Sequence, residues 1–223
     1  MKKLLIINTL LLISLFSNNI LAQRIALEAC YSNPAQRGTD VSTTYLNGNQ
    51  LGATINFDFK HNIGLSTGLS YMVAFGANNQ VFSLAQHTDK YTLGLYTDIP
   101  LRISYSLPVS KSFKFFAFGG PNLNIGFIQK QVITSTYSAV KAADHDLYTD
   151  KAMNNFNFQL GAGGGIQWEK AVLKGGYNFG LNNLNNDTKG VKIYQSNWYV
   201  TLALDVFSFK KEEKVSSTIK PAK

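Results

Sequence analysis

The chain has 223 residues, a formal net charge of +8 and only 15% charged residues. This length suits a single domain, and the single Cys30 excludes an internal disulfide. Beyond residue 22 no apolar run is long enough to cross a membrane as a helix. Five Lys and two Glu follow Phe209. Much of the positive charge therefore lies in a tail rather than on a folded patch, and we expect no nucleic-acid partner.

The N-terminus has the layout of a secretory signal peptide. Two lysines precede an apolar run over residues 4–16, and small and polar residues follow it up to Ala22, where we expect cleavage. A membrane anchor helix is the alternative, but the run of 13 residues is shorter than the roughly 20 that a spanning helix needs. The sequence thus predicts three parts: a signal peptide over 1–22, a barrel over 23–209, and a basic, disordered periplasmic tail over 210–223.

The rest of the chain alternates between apolar and polar residues with a period of two, which is typical of β-strands. For example, Leu51, Ala53 and Ile55 share one face, while Gly52 and Thr54 share the other. Eight such segments occur, the first of them weakly, at residues 24–32, 50–60, 63–75, 91–107, 113–128, 156–169, 171–181 and 198–209. An even number is what a closed antiparallel bacterial barrel requires. We predict an all-β fold, an eight-stranded antiparallel up-and-down transmembrane β-barrel.

The connections between these segments alternate in length. Three are tight turns, at residues 60–62, 108–112 and 169–170. Four are long and polar, at residues 33–49, 76–90, 130–155 and 182–197. Short turns on one rim and long loops on the other are typical of outer-membrane barrels, in which the turns and both termini face the periplasm.

A soluble barrel such as a lipocalin is the structural alternative, because alternation alone does not say which face lies inside. The polar face is crowded with small residues such as Gly161, Gly163 and Gly165, which suit the narrow interior of an eight-stranded barrel. Aromatic residues gather near both ends of the segments, as in the two interfacial belts of a membrane protein. Both features favour the cell outer membrane.

If the apolar face meets lipid, parity places seven charged residues in the lumen: Glu28, Asp58, Asp98, Arg102, Lys114, Lys174 and Asp205. Charges in a narrow lumen are tolerated when they are paired and hydrogen-bonded. We interpret this set as a structural charge plug that closes the barrel. The alternative is a proton or ion pathway, although eight strands leave no room for an aqueous channel.

The three histidines are the remaining candidates for chemistry. His61 lies in a tight turn, and His87 and His145 lie in long loops. Either loop histidine could belong to a triad-like site of a lipid-modifying enzyme, but polar residues are common in exposed loops. Asp144 and Asp146 flank His145 without forming a defined metal site. We therefore predict no catalytic residue, no metal and no cofactor.

Pro100 lies inside the fourth predicted strand. Proline cannot donate a hydrogen bond to a strand ladder and is usually confined to edges and bulges. We therefore predict a bulge beside Asp98.

Three stretches resemble the PorT-like outer-membrane β-barrel proteins of Bacteroidota: residues 96–105 (YTDIPLRISY), 115–121 (FFAFGGP) and 161–166 (GAGGGI). The resemblance covers roughly residues 24–209. It implies a small barrel without catalytic residues, and the family's namesake is tied to secretion and gliding machinery. The aromatic end of the last strand is similar to the signal that barrel-assembly machinery reads during biogenesis, although here a Lys-rich tail follows Phe209.

Our leading functional hypothesis is a non-enzymatic scaffold or partner-binding element of the outer membrane. Its expected partners are outer-membrane lipid, barrel-assembly machinery during biogenesis, and an envelope protein. A narrow transport or channel element is the second hypothesis, and a loop-based lipid-modifying enzyme is the third.

Overall fold

The computed structural model describes residues 20–39, 43–83, 86–135, 143–186 and 190–210. Most of the predicted signal peptide and nearly all of the predicted tail lie outside these residues, so both remain predictions. Among the residues that the structure describes, no helix is long and apolar enough to cross a membrane.

The described residues form ten antiparallel strands: β1 Ile20–Gly38, β2 Thr44–Tyr45, β3 Asn47–Phe59, β4 Ile63–Ser83, β5 Gln86–Pro108, β6 Phe113–Ser135, β7 Ala143–Asp146, β8 Phe156–Trp168, β9 Ala171–Gly180 and β10 Ile193–Lys210. Eight of them form a ring in the order β1-β3-β4-β5-β6-β8-β9-β10, and β10 pairs with β1 to close it. The short strands β2 and β7 are accessory, pairing with β1 and β6. The predicted eight-stranded antiparallel barrel is confirmed.

The outer wall of the barrel is apolar. Leu51, Ile103 and Leu202 are 60–68% exposed, whereas the inward-facing Thr54 and Thr201 are at most 5% exposed. A soluble barrel would place its large apolar residues inside, so the lipocalin-like alternative is wrong. Exposed aromatic side chains also lie toward both ends of the wall, at Tyr105, Trp168 and Phe207 near the turns and at Tyr71, Phe75, Tyr91, Phe127, Phe179 and Trp198 near the loops.

We call the two ends of the barrel the turn end, with the connections at 60–62, 109–112 and 169–170, and the loop end. Several strands run further toward the loop end than predicted. The ladder between β4 and β5 continues to the pair Ser83 and Gln86, so most of the predicted loop 76–90 is a paired hairpin. Its sequence is polar at most positions and lacks the alternation that marks the lipid-facing part.

The predicted bulge beside Asp98 is wrong. Pro100 pairs with Asn122 of β6. On its other side the ladder to β4 is interrupted between the pairs Ser70–Asp98 and Thr67–Leu101 without any change of register. A gap in the pairing thus accommodates the missing proline donor. The bulge of this region lies nearer the loop end, in β6, where Phe127 is the extra residue.

Candidate functional site: the barrel lumen

The turn-end part of the lumen is built around Arg24 of β1. Its guanidinium donates from Nε and Nη2 to Asp58 of β3, at 2.9 and 3.1 Å, and from Nη1 to Asp205 of β10, at 2.6 Å. Nη1 also donates to Gln167 Oε1 at 3.0 Å. Because β3 and β10 flank β1 in the ring, this one side chain ties the closing strand to both neighbours.

The set of lumen charges predicted from the sequence therefore lacked Arg24, the cation at its centre. Arg24 has the same strand parity as Glu28 four residues later, so alternation was the signal that could have found it. Glu28 itself pairs with Lys174 of β9 at 2.6 Å and accepts a hydrogen bond from Thr54 Oγ1 at 2.7 Å.

Asp98 and Arg102 are held by neutral partners. The Asp98 carboxylate accepts hydrogen bonds from the side-chain amides of Gln50 at 2.7 Å, Asn122 at 2.8 Å and Asn124 at 3.1 Å. No ion pair of the described residues joins it to Arg102. Three amide donors can satisfy a buried carboxylate without a cation in contact.

Arg102 lies across the lumen against β8 and β9. Its guanidinium donates to Asn178 Oδ1 at 2.6 Å and to the carbonyl oxygen of Gly120. A Cβ atom added at Gly161 would lie 2.7 Å from Nη2 of Arg102. The glycine-rich stretch of β8 thus makes room for a large side chain from β5, which lies two strands away in the ring. This agrees with the prediction that these small residues face the narrow interior.

Lys114 completes the charged set. Among the described residues it is the one lumen cation without a hydrogen bond or ion pair, although it interacts electrostatically with Arg24, Asp58 and Asp205. One carboxylate oxygen of Asp205, Oδ1, is buried without a hydrogen-bond partner.

We call these residues the charged layer: Arg24, Glu28, Asp58, Asp98, Arg102, Lys114, Lys174 and Asp205. All eight line a cavity of about 120 Å³. Its four cations and four anions balance formally. The predicted lumen residues are thus brought together around one cavity, where most of them are paired or hydrogen-bonded.

Nearer the loop end the lumen is filled by neutral side-chain amides, which we call the amide layer: Gln36, Gln129, Asn157, Gln159 and Gln195. Gln36 donates to Gln195 Oε1 at 2.8 Å and accepts from Gln129 Nε2 at 3.1 Å. Asn157 and Gln159 both donate to the backbone carbonyl of Gln195, at 3.0 and 3.2 Å. All five are buried.

Next to the amide layer lies an apolar cluster, which we call the apolar cap, formed by Leu46, Met72, Ala74 and Tyr96, against which Tyr148 packs. Tyr96 donates from its hydroxyl to Gln129 at 3.3 Å, which joins the cap to the amide layer. Tyr148 follows β7, and burial raises the pKa of its phenol. Two loop-end connections thus reach into the barrel and cover the lumen.

The loop-end connections are also bonded to one another. The segment after β7 is held to β6 by the bond from Leu147 N to Gln129 O, at 3.0 Å. It reaches the segment after β9 through Asn154 N and Leu184 O, at 2.6 Å. The buried Met153 and Leu184 lie beside this contact. The described loop residues therefore form a joined cover rather than separate arms.

The two histidines whose side chains the structure describes, His61 and His145, show no triad. His145 Nδ1 lies 3.3 Å from Asp150 Oδ2, and both side chains are about half exposed. His61 adopts a left-handed backbone conformation in the first turn, with φ of 63°. The side chain of His87 lies outside the described part of the structure. Within that part, no group of three His, Cys, Asp or Glu could hold a metal ion.

Comparison with known proteins places the chain in a family. The sequence matches the family described as "Outer membrane protein beta-barrel domain" over residues 21–186. Similar solved structures include Neisserial surface protein A (10% identity, 82% of this chain and 98% of that chain, TM-score 0.44). They also include Ail, the attachment invasion locus protein of Yersinia pestis (12%, 84% and 98%, 0.35).

A third is the N-terminal β-barrel domain of Pseudomonas aeruginosa OprF (10% identity, 83% of this chain and 99% of that chain, TM-score 0.31). No curated protein matches the sequence. The family match covers more than half of the chain, and the closed ring with its apolar outer wall is the fold that this family requires. The chain belongs to the outer membrane protein beta-barrel domain family, and its place is the cell outer membrane.

Proposed function

We propose that this protein is a non-enzymatic, non-conducting barrel that binds an acidic envelope protein at its periplasmic turn end. The observation that carries the proposal is the distribution of charge. The charged layer is neutral, and the four predicted loops at 33–49, 76–90, 130–155 and 182–197 together hold seven Lys or Arg against six Asp. The turn end, with the chain that follows Phe209, holds eight Lys against three Glu.

The surplus charge therefore belongs to the turn end and its tail. Lys60, Lys111 and Lys170 lie in the three turns and are exposed, where they can form ion pairs with a partner without first breaking pairs within the barrel. Complementary charge steers a partner to one face and suppresses wrong partners. The resemblance of residues 96–105 to PorT-like barrels supports a partner from secretion or envelope machinery.

The interior supports a binding role over transport. The charged layer, the hydrogen-bonded amide layer and the apolar cap beside it fill the lumen. An ion crossing the barrel would have to displace these side chains. We expect no conductance steps when the purified protein is inserted in a planar bilayer, and regular open-channel steps would favour a transport function instead.

The test is affinity purification from native envelopes in mild detergent, followed by mass spectrometry. We expect an acidic envelope protein at stoichiometric amounts with the wild type. The triple variant Lys60→Glu, Lys111→Glu and Lys170→Glu should lose it, because the turn-end surface changes from basic to acidic.

A matched triple variant at the loop end is the control: Arg37→Glu, Lys151→Glu and Lys192→Glu. It changes the same amount of charge at exposed positions and should keep the partner. Loss of the partner in both triple variants, or a barrel that purifies alone, would contradict the proposal.

A further inference from the structure

A groove lies on the outer wall near the loop end, apart from the lumen and from the turn-end surface. Its volume is about 540 Å³, and it is lined on β3 to β6 by Asn49, Phe75, Ala77, Tyr91, Leu93 and Lys130 among others. Phe75 and Tyr91 are more than half exposed. The groove therefore presents exposed aromatic side chains to the surroundings of the barrel near its loop end.

The bulge in β6 explains why the wall is concave here. Leu95 pairs with Ile128 but Tyr96 pairs with Gly126, which leaves Phe127 as an extra residue. A bulge bends its strand and redirects the side chains that follow. Beyond it, Gln129 faces the lumen, and Lys130 is exposed on the outer wall.

The groove continues the lipid-facing wall. Tyr71, Val73 and Phe75 are exposed in succession on β4, and the last of them enters the groove. On the neighbouring β3, Asn47 and Asn49 line the same groove. The change from apolar side chains to amides and a lysine marks the height at which a bilayer changes from acyl chains to headgroups, where aromatic residues gather.

We propose that this groove binds a phosphate-bearing glycolipid of the outer leaflet. An acyl chain lies along Phe75 and Leu93, and the headgroup phosphate lies at Lys130. Continuity with the lipid-facing wall argues for a membrane lipid as occupant. A lysine above an aromatic floor complements an amphiphile whose charged group is anionic, because a phosphate accepts charge-assisted hydrogen bonds from an ammonium group.

The test is native mass spectrometry of the full-length protein in mild detergent, titrated with lipid A, a bis-phosphorylated and acylated glucosamine disaccharide. We expect one retained lipid at low molar excess. Lys130→Glu should weaken retention about tenfold, which corresponds to the loss of one charge-assisted contact. Dephosphorylated lipid A should bind the wild type about as weakly.

Two further variants keep the test specific. Arg37→Glu changes an exposed charge on β1, which lies four strands from β6 in either direction around the ring, and it should leave retention unchanged. Ala77→Trp fills the groove and should abolish retention while the thermal unfolding of the barrel stays the same. Equal retention by wild type, Lys130→Glu and Ala77→Trp would overturn the proposal, as would equal weakening by Lys130→Glu and Arg37→Glu.

Discussion

At the turn end of the lumen charged side chains pair with one another, whereas at the loop end neutral amides and apolar side chains fill the same cross-section. The side chains at the turn end are also more exposed to solvent than those at the loop end. Side-chain exposure is 34% at Asp58 and 20% at Lys174, but Gln129 and Leu46 are fully buried. Desolvation costs a charge far more than an amide. The barrel thus keeps most of its paired charges where water reaches them and seals the dry end with neutral groups.

Two charged residues, Asp98 and Arg102, are exceptions to this contrast. Asp98 and Arg102 are each only 6% exposed. Each is charged and buried, yet each is satisfied by neutral hydrogen-bond partners. Their positions between the paired charges and the amide layer show that the change from ionic to amide packing is gradual.

The largest effect should come from Arg24→Ala. The change leaves Asp205, which is 5% exposed, without its ion-pair partner in the lumen. Removing one partner of a buried pair costs about 3–5 kcal/mol. Denaturant unfolding of the barrel in lipid vesicles, followed by tryptophan fluorescence, measures it. Arg37→Ala is the matched control, an exposed arginine in the same strand, and should stay within about 0.5 kcal/mol. Equal stability of wild type and Arg24→Ala would mean that the ion pairs do not hold the seam between β1 and β10.

A smaller loss, about 2–3 kcal/mol, is expected for Arg102→Ala, because two hydrogen bonds from a charged donor disappear. Gly161→Ala tests the same Arg102 contact from β8, since the added Cβ would crowd the Arg102 guanidinium. In the neighbouring strand Gly175→Ala serves as control, because its Cβ would meet nothing closer than 3.4 Å. Unfolding temperatures of the three variants decide the matter: an unchanged value for Arg102→Ala contradicts the plug interpretation.

The period-two alternation of the sequence predicted those features of the barrel that contact with lipid requires. The lipid-facing wall needs an apolar residue at every second position, so the strands and the parity of Glu28, Asp58 and Asp205 could be read from alternation. The hairpin extension of β4 and β5 was missed because its sequence lacks that apolar repeat.

The loop-end half of the lumen was missed for a different reason. Its members are neutral, and a search for charged residues passes over Gln36 and Gln195. Leu46 and Tyr148 come from connections that fold back into the barrel, and alternation along a strand carries no information about such a return. The position of the β6 bulge was also beyond the sequence, since the proline that suggested a bulge is accommodated by a local gap in pairing.

The smallest effect is expected for Lys114→Gln, and it is the sharpest test of the contrast between the two halves. Lys114 interacts electrostatically with Arg24, Asp58 and Asp205, but forms no hydrogen bond or ion pair among the described residues. If direct pairing, rather than the total charge of the layer, stabilises the turn end, the change should alter the unfolding free energy by less than about 1 kcal/mol. Arg24→Ala, measured by the same denaturant unfolding, is the matched comparison, because both changes remove one positive charge from the same cavity. Losses of equal size would mean that charge balance across the lumen, and not the geometry of Arg24, keeps the charged layer together.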